Sequence, residues 1–332
     1  NTTAIILADE TVIPSLFIQD EIGFNNKQSL LLGMRYDYNS RHGNIFTPRI
    51  AYRFKPTDDD IIRLNAGTGF RVVNLFTEEH AALTGAREVI IKEELNPEES
   101  YNITLNYLKK LYLKNGMYFT IDTSVWYTYF TNAIIPDYDT NPNQIIYDNL
   151  SGKSVSNGIA INANLFANGG MRINLGVSLI DTFVEENETK TTPYLTERFQ
   201  GVWKVEKKWR ANNLVLDLTG KTVGALKLPK LGELDPRPDI STPFSILNLQ
   251  LTKSWNNTIE SYGGIKNILN FTPPKNSIAR AFDPFDRQVN FDDSGSVLAT
   301  TDNPYALTFD PSYVYASNQG IRFFIGLRWK YK

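Results

Sequence analysis

Only two histidines, His42 and His80, and no cysteine occur in the 332 residues, which at once restricts the chemistry this sequence can carry. Thiolate metal sites, disulfides and thiol catalysis are excluded. A serine hydrolase needs a histidine hydrogen-bonded to its nucleophile and a third group orienting the ring, and neither histidine sits by a serine in such a motif. His80 remains a candidate contact for a ligand. Asp137, Asp139 and Asn141 alternate as calcium ligands do, but Pro142 stands where such a loop needs glycine, so a solvated loop is expected and no metal is assigned. Glu93, Glu94, Glu98 and Glu99 could pair for acid–base work, but a strand start explains them more simply. Asp58, Asp59 and Asp60 read as a solvated turn. Arg280, Phe282 and Phe285 put a fixed cation among planar aromatics, which suits binding of a large amphipathic ligand. These residues describe a binder. An enzyme is not expected, and neither is a cofactor.

The elements that must carry these side chains are strands. Ile321, Phe323, Ile325, Leu327, Trp329 and Tyr331 fall on one face of a period-2 pattern, opposite Arg322, Gly326, Arg328 and Lys330. Leu30, Leu32, Met34, Tyr36 and Tyr38 alternate in the same way with Gly33, Arg35 and Asp37. The pattern returns from Met117 to Tyr129 and from Met171 to Leu179. No apolar run is long enough for a transmembrane helix. Aromatics are 12% of the chain and charged residues 21%, while mean hydropathy is slightly negative. A barrel wall that shows lipid one side chain and water the next averages to such values. Leu32, Ile121, Leu175, Ile325 and Leu327 are therefore expected to face lipid, and Arg35, Asp122 and Arg328 the lumen. Net charge is −2, with no extended Lys/Arg cluster of the kind that neutralises phosphates, so nucleic acid is not an expected partner.

Connections alternate in length. Short turns are expected near 24–28, 56–59, 110–115, 167–170, 209–212 and 255–257. Longer loops are expected near 71–94, 131–145, 185–192, 221–241 and 268–319, with one short exception near 41–45. Short turns on one side and long loops on the other divide periplasm from exterior in outer-membrane barrels. Counting through them gives about thirteen strands. Bacterial single-chain barrels have even strand numbers, and open edges are forbidden in lipid, so further strands upstream are expected. The first residues also lack the pattern of an export signal, which points the same way.

Several segments resemble TonB-dependent outer-membrane receptors. Phe17, Gln19, Asp20 and Glu21, followed by Gly33, Arg35 and Asp37, resemble that family's F-x-Q-D-E and G-x-R-x-D strands. Phe46-Thr47-Pro48-Arg49 is similar to its next strand opening. Gly69-Phe70-Arg71 and Leu95-Asn96-Pro97-Glu98 resemble its loop and following strand start, and Gly264 to Asn270 its G-x-x-N-L-x-N strand. Gly326, Trp329 and Tyr331 resemble the terminal signal read by barrel-assembly machinery, with Phe324 where a polar residue is usual and Lys332 after the last aromatic. Ile278 to Phe285, Phe309-Asp310-Pro311 and Gln319-Gly320 are similar to receptors of the Bacteroidetes type.

The resemblance implies an all-β fold, a transmembrane antiparallel β-barrel of about 22 strands, of which residues 1–332 are the C-terminal portion. A plug domain, the first strands and the box that contacts the TonB complex would lie upstream. It implies active import of a scarce, bulky nutrient across the outer membrane of a Gram-negative bacterium, the ligand being a metal chelate such as a siderophore or a corrinoid. A passive porin-like channel is one alternative. Another is a carbohydrate or peptide importer working with a surface lipoprotein. Capture is expected on the loops 71–94 and 268–319, with Arg280, Phe282, Phe285 and His80 as ligand contacts.

Overall fold

The computed structural model describes residues 12–73, 87–141, 144–256, 258–281, 288–293 and 295–331. In chain order its strands are β1 (Ser15–Asn25), β2 (Gln28–Asn39), β3 (Gly43–Phe54), β4 (Asp60–Arg71), β5 (Glu88–Ile91), β6 (Glu98–Tyr112), β7 (Tyr118–Asn132), β8 (Gln144–Tyr147), β9 (Lys153–Ala167), β10 (Met171–Glu186), β11 (Thr189–Thr191), β12 (Phe199–Trp209), β13 (Leu214–Val223), β14 (Phe244–Ser254), β15 (Ile259–Lys266) and β16 (Arg322–Trp329). Thirteen of them form one antiparallel meander in the order β1-β2-β3-β4-β6-β7-β9-β10-β12-β13-β14-β15-β16, each pairing with its neighbours along the wall. β1 and β16 are each paired on one side only, so the described wall is an open arc. Turns such as Lys114–Gly116 and Asn168–Gly170 are tight because Asn115 (φ 63°) and Gly169 (φ 69°) adopt left-handed backbone. The count and the turn positions agree with the alternation in the sequence. The three short strands β5, β8 and β11, which fold the long connections, carry no periodicity that would have revealed them.

Register turns the alternation into two continuous faces. Ile121 lies opposite Ala163, Ala163 opposite Leu175, Leu175 opposite Trp203, Trp203 opposite Gly220 and Gly220 opposite Leu247. Leu32, by way of Ile50, Ala66 and Ile103, reaches Tyr127 on the same face, which also carries Ile325 and Leu327. The opposite face is a hydrogen-bonded mesh. Across β4 to β10 it is mostly uncharged: Asn102 Nδ2 donates to Thr128 Oγ1 at 2.7 Å, Asn106 Nδ2 to Ser124 Oγ at 3.1 Å and Asn164 Nδ2 to Thr120 Oγ1 at 3.1 Å. Across β12 to β16 it is charged, with Lys204 Nζ 2.7 Å from Asp217 and Arg328 and Lys330 3.0 and 2.9 Å from Glu260. Arg35, Asp122 and Arg328 belong to this polar face. One reading of the sequence does not hold: Asp60 is no solvated turn residue. It opens β4, accepts from Tyr107 Oη at 2.7 Å and pairs with Lys109 Nζ at 2.8 Å.

The last two strands interlock through glycine. Tyr262 lies opposite Gly326 and Phe324 opposite Gly264, with the two rings 6.4 Å apart. A Cβ on Gly264 would meet the Leu249 carbonyl oxygen and lie 2.7 Å from the Phe324 ring. Phe324, the apparent departure from the terminal signal, thus fills the space that Gly264 leaves. Gly264→Ala is expected to destabilise the barrel by about 1–3 kcal/mol through overpacking, read as a lower temperature for loss of the heat-modifiable gel band. An unchanged transition temperature would remove the interlock from the account.

Candidate functional site

The long connections fold into two clusters at the end of the wall opposite the tight turns. In the first, β5 pairs in parallel with β8, and Ile134, Ile145 and Tyr147 form a small core with Val73, Val89, Leu95 and Tyr138 around it. In the second, Val223, Leu226, Leu228 and Tyr313 are buried together, flanked by Phe244 and Tyr315. Phe271 stacks on Phe244 with ring centroids 4.5 Å apart. Asp235 and Arg237 form a buried ion pair at 2.7 Å, the Arg237 guanidinium lies 4.3 Å over the Tyr313 ring, and Tyr313 Oη donates to the Pro238 carbonyl at 2.6 Å. Burial pushes the Asp235 carboxyl up, but hydrogen bonds from Arg237 and the Leu231 amide outweigh it and hold the group below the usual carboxylate range.

A second ion pair joins the clusters. Arg87 Nη2 lies 3.1 Å from Asp310 Oδ2, and both side chains are 1% exposed. Ser312 Oγ donates to the same carboxylate at 2.8 Å, and the Arg87 guanidinium sits 5.4 Å from the centre of the Tyr138 ring. Charges this deeply buried are tolerated only when paired and hydrogen-bonded.

Two cavities lie beneath this roof. The outer one, about 640 Å³, is lined by Asp139, Asp148, Glu186, Tyr138, Tyr194 and Lys227 among others. Tyr194 Oη donates to Asp139 Oδ1 at 2.5 Å, Lys227 Nζ lies 4.2 Å over the Tyr194 ring, and Tyr138 meets Tyr194 edge-on at 5.7 Å. Burial pushes the Tyr194 hydroxyl pKa up, and the bond to Asp139 adds to the shift. Asp137 is not a metal ligand in waiting, since it accepts from the Thr140 hydroxyl and from the amides of Asp139 and Thr140. The inner cavity, about 530 Å³, lies against the top of the polar face and is lined by Arg71, Glu98, Ser100, Ser154, Ser156 and Thr182. Ala133, Ile135 and Pro193 line both, so the two cavities are neighbours, one among the loops and one against the polar face. Arg71 Nε and Glu98 Oε2 are 2.6 Å apart in the lining of the inner cavity, and Glu98 Oε1 accepts from the Ile134 amide at 2.9 Å. Among the described residues no group of three or more His, Asp or Glu side chains is placed to hold a metal ion.

The predicted contacts fare differently. Arg280 is held inside its own loop, donating to Asn303 Oδ1 at 3.4 Å and Gln288 Oε1 at 3.2 Å. His80, Phe282 and Phe285 lie outside the described residues. Tyr147 and Tyr313, aromatics of the long connections, are 1% exposed and belong to the cores of the two clusters. Tyr194 and Lys227 carry no signal in the sequence, because they sit in loops without periodicity and meet only in three dimensions.

The wall and its folded mouth agree with a comparison at the level of sequence: the profile described as TonB dependent receptor-like, beta-barrel, matches residues 8–268. The chain belongs to the TonB-dependent receptor β-barrel family. Among solved structures, the barrel of this TonB-dependent receptor is similar to a ferric enterobactin receptor from Pseudomonas aeruginosa, at 16% identity and TM-score 0.66, over 96% of this chain and 45% of that one. It is also similar to the siderophore receptor PirA from Acinetobacter baumannii, at 12% identity and TM-score 0.63, over 96% and 46%. PirA from Pseudomonas aeruginosa matches at 15% identity and TM-score 0.56, over 79% and 44%. At such identities the likeness is one of fold, and the chain spans less than half the length of each of these receptors. No curated protein matches the chain in sequence.

Proposed function

We propose that this receptor wall belongs to a TonB-coupled importer in the outer membrane of a Gram-negative bacterium, and that its two-chambered mouth receives a scarce, bulky nutrient. In this reading the thirteen strands are the C-terminal part of a larger barrel, supported by the unpaired outer edges of β1 and β16 and by the 45% share of the enterobactin receptor that the chain covers. The plug and the segment that contacts the TonB complex belong to the rest of the protein. The apolar face, with Leu32, Ile121, Leu175, Ile325 and Leu327, meets membrane lipid, and Gly326, Trp329 and Tyr331 serve assembly. The observation that carries the reading is the pair of neighbouring cavities among the folded loops, one of them against the polar face. A general diffusion channel has no use for such a roof.

A metal chelate such as a siderophore or corrinoid is the first ligand class, supported by the siderophore receptors of like fold. A carbohydrate or peptide, delivered by a surface lipoprotein, is the second. It is favoured by the outer chamber, where Asp139, Asp148 and Glu186 would repel an anionic chelate while tyrosines and hydroxyls suit an uncharged or cationic ligand. Calorimetric titration of the intact receptor with a ferric siderophore, cobalamin and an oligosaccharide should find one class that binds. That binding should vanish on deletion of residues 276–316, a change that leaves the barrel assembled. Unchanged affinity in the deletion variant would move capture away from this mouth.

A further inference from the structure

On the polar face Trp126 sits opposite Gly158, and two atoms of its six-membered ring occupy the space that a Cβ on Gly158 would need. The glycine thus lets the indole lie over the neighbouring strand. The ring is half-buried, so part of it stays uncovered. Besides Gly158, Thr104 lies opposite it on β6, Ser124 and Thr128 lie two residues below and above it on β7, and Asn102, Asn106, Ser156 and Ala160 occupy the corners. None of these neighbours is charged, and most carry a hydroxyl or an amide. One step further out, Arg63 and Asp122 are both hydrogen-bonded to Asn106, and Ile180 stands beyond Gly158.

Two of the hydroxyls are held in place. Asn102 Nδ2 donates to Thr128 Oγ1 and Asn106 Nδ2 to Ser124 Oγ, so each oxygen is fixed by an amide and keeps its own proton for another acceptor. The two stand about 13 Å apart along the strand, with the ring midway. Trp126 is eight residues above Tyr118 at the start of β7, or about 20 Å up a strand tilted by about 40°. Ser156, at its upper corner, lines the inner cavity together with Thr182, whose hydroxyl donates to it at 3.1 Å. The ring therefore lies one row below that cavity.

A pyranose has an apolar face of C–H groups and a rim of hydroxyls that both donate and accept. The first stacks on an aromatic ring, and the second meets fixed hydroxyls. An anionic chelate would find no cation beside this ring, and a hydrocarbon would leave the facing hydroxyls and amides unpaired. We propose that Trp126, Ser124 and Thr128 form a saccharide subsite on the wall, one row below the inner cavity, where a neutral oligosaccharide stacks a pyranose on the indole. The inference rests on the reading that the mouth receives an imported nutrient, and it selects the carbohydrate among the ligands of that reading.

The test presents the intact receptor in detergent to an array of neutral gluco-, manno-, galacto- and xylo-oligosaccharides. Wild type should bind at least one series. On that series Trp126→Ala should weaken binding by about tenfold, the worth of one stacked ring, and Trp126→Phe, which keeps an aromatic face, by no more than about threefold. Thr128→Val should weaken it by about fivefold, through loss of one hydrogen bond. Trp203→Ala is the control, because Trp203 covers Gly220 in the same manner on the apolar face and should leave binding unchanged. The heat-modifiable gel band shows that each variant is assembled. Binding that survives Trp126→Ala, or that falls equally with Trp203→Ala, overturns the platform, and no loss in Thr128→Val overturns the role of that hydroxyl. A wild type that binds no oligosaccharide but takes up ferric siderophore or cobalamin in the calorimetric titration overturns the subsite and leaves the importer standing, whereas one that binds none of the three removes both. The deletion of residues 276–316 tests the mouth separately, because no residue of the subsite lies within it.

Discussion

Asp310→Ala is expected to separate the two loop clusters at a cost of about 3–5 kcal/mol, the usual penalty for stranding one member of a buried ion pair. Arg87 would keep its place against Tyr138 at 1% exposure with no carboxylate to balance it. Its alternatives are to pull water inward or to swing out, and either opens the roof. The loss is local, because neither residue belongs to the wall. Amide hydrogen exchange should therefore quicken by at least about a hundredfold in β5, β8 and the segment around Ala279, while β9 and β10 exchange as before. Replacing both partners by apolar residues of similar volume, Arg87→Met with Asp310→Leu, should restore most of the protection. If the single alanine variant exchanges like wild type, the pair does not hold the clusters together.

Ile121→Arg is expected to destabilise the folded barrel by up to about 2–4 kcal/mol, the cost of a cation facing hydrocarbon at the midplane, less for a site nearer the tight turns such as this fourth residue of β7. Ile121 shares its row with Ala163 and Leu175 on one side and lies opposite Lys109 on the other, so a guanidinium there would face lipid with a second cation beside it. Ser178→Arg makes the same chemical change on the polar face, where water and the facing Gln200 are within reach, and should cost far less. Urea titration of both variants in lipid vesicles gives the comparison. Equal losses would mean that the two faces of the sheet do not meet different solvents.

Much of the wall was legible before any coordinates, for a physical reason. A strand that separates two solvents must alternate side chains, and a turn that reverses it in two to four residues needs Asn, Gly or Asp at fixed places. Leu32 against Arg35 and Asn115 in its turn are both readable one segment at a time. The mouth was not legible, because what builds it is pairing at a distance. Tyr147 and Tyr313 look like exposed loop aromatics until β8 and the Asp235–Arg237 pair are seen to enclose them. Phe324 looked like an error in the terminal signal because the glycine it covers is in another strand. Loop length alone put the candidate contacts on the long connections, while Tyr194, Lys227 and Asp139 needed the fold to bring them together.

The meander also sets an order of events in time. Most wall strands close on the strand just before them through a short or moderate loop, residues 267–321 between β15 and β16 being the longest connection. Much of the wall can therefore zip hairpin by hairpin, paying little closure entropy at each step. Arg87 and Asp310, by contrast, are 223 residues apart in sequence. Their bond waits until nearly the whole arc is in place. A wall that forms in this order joins its two loop clusters last.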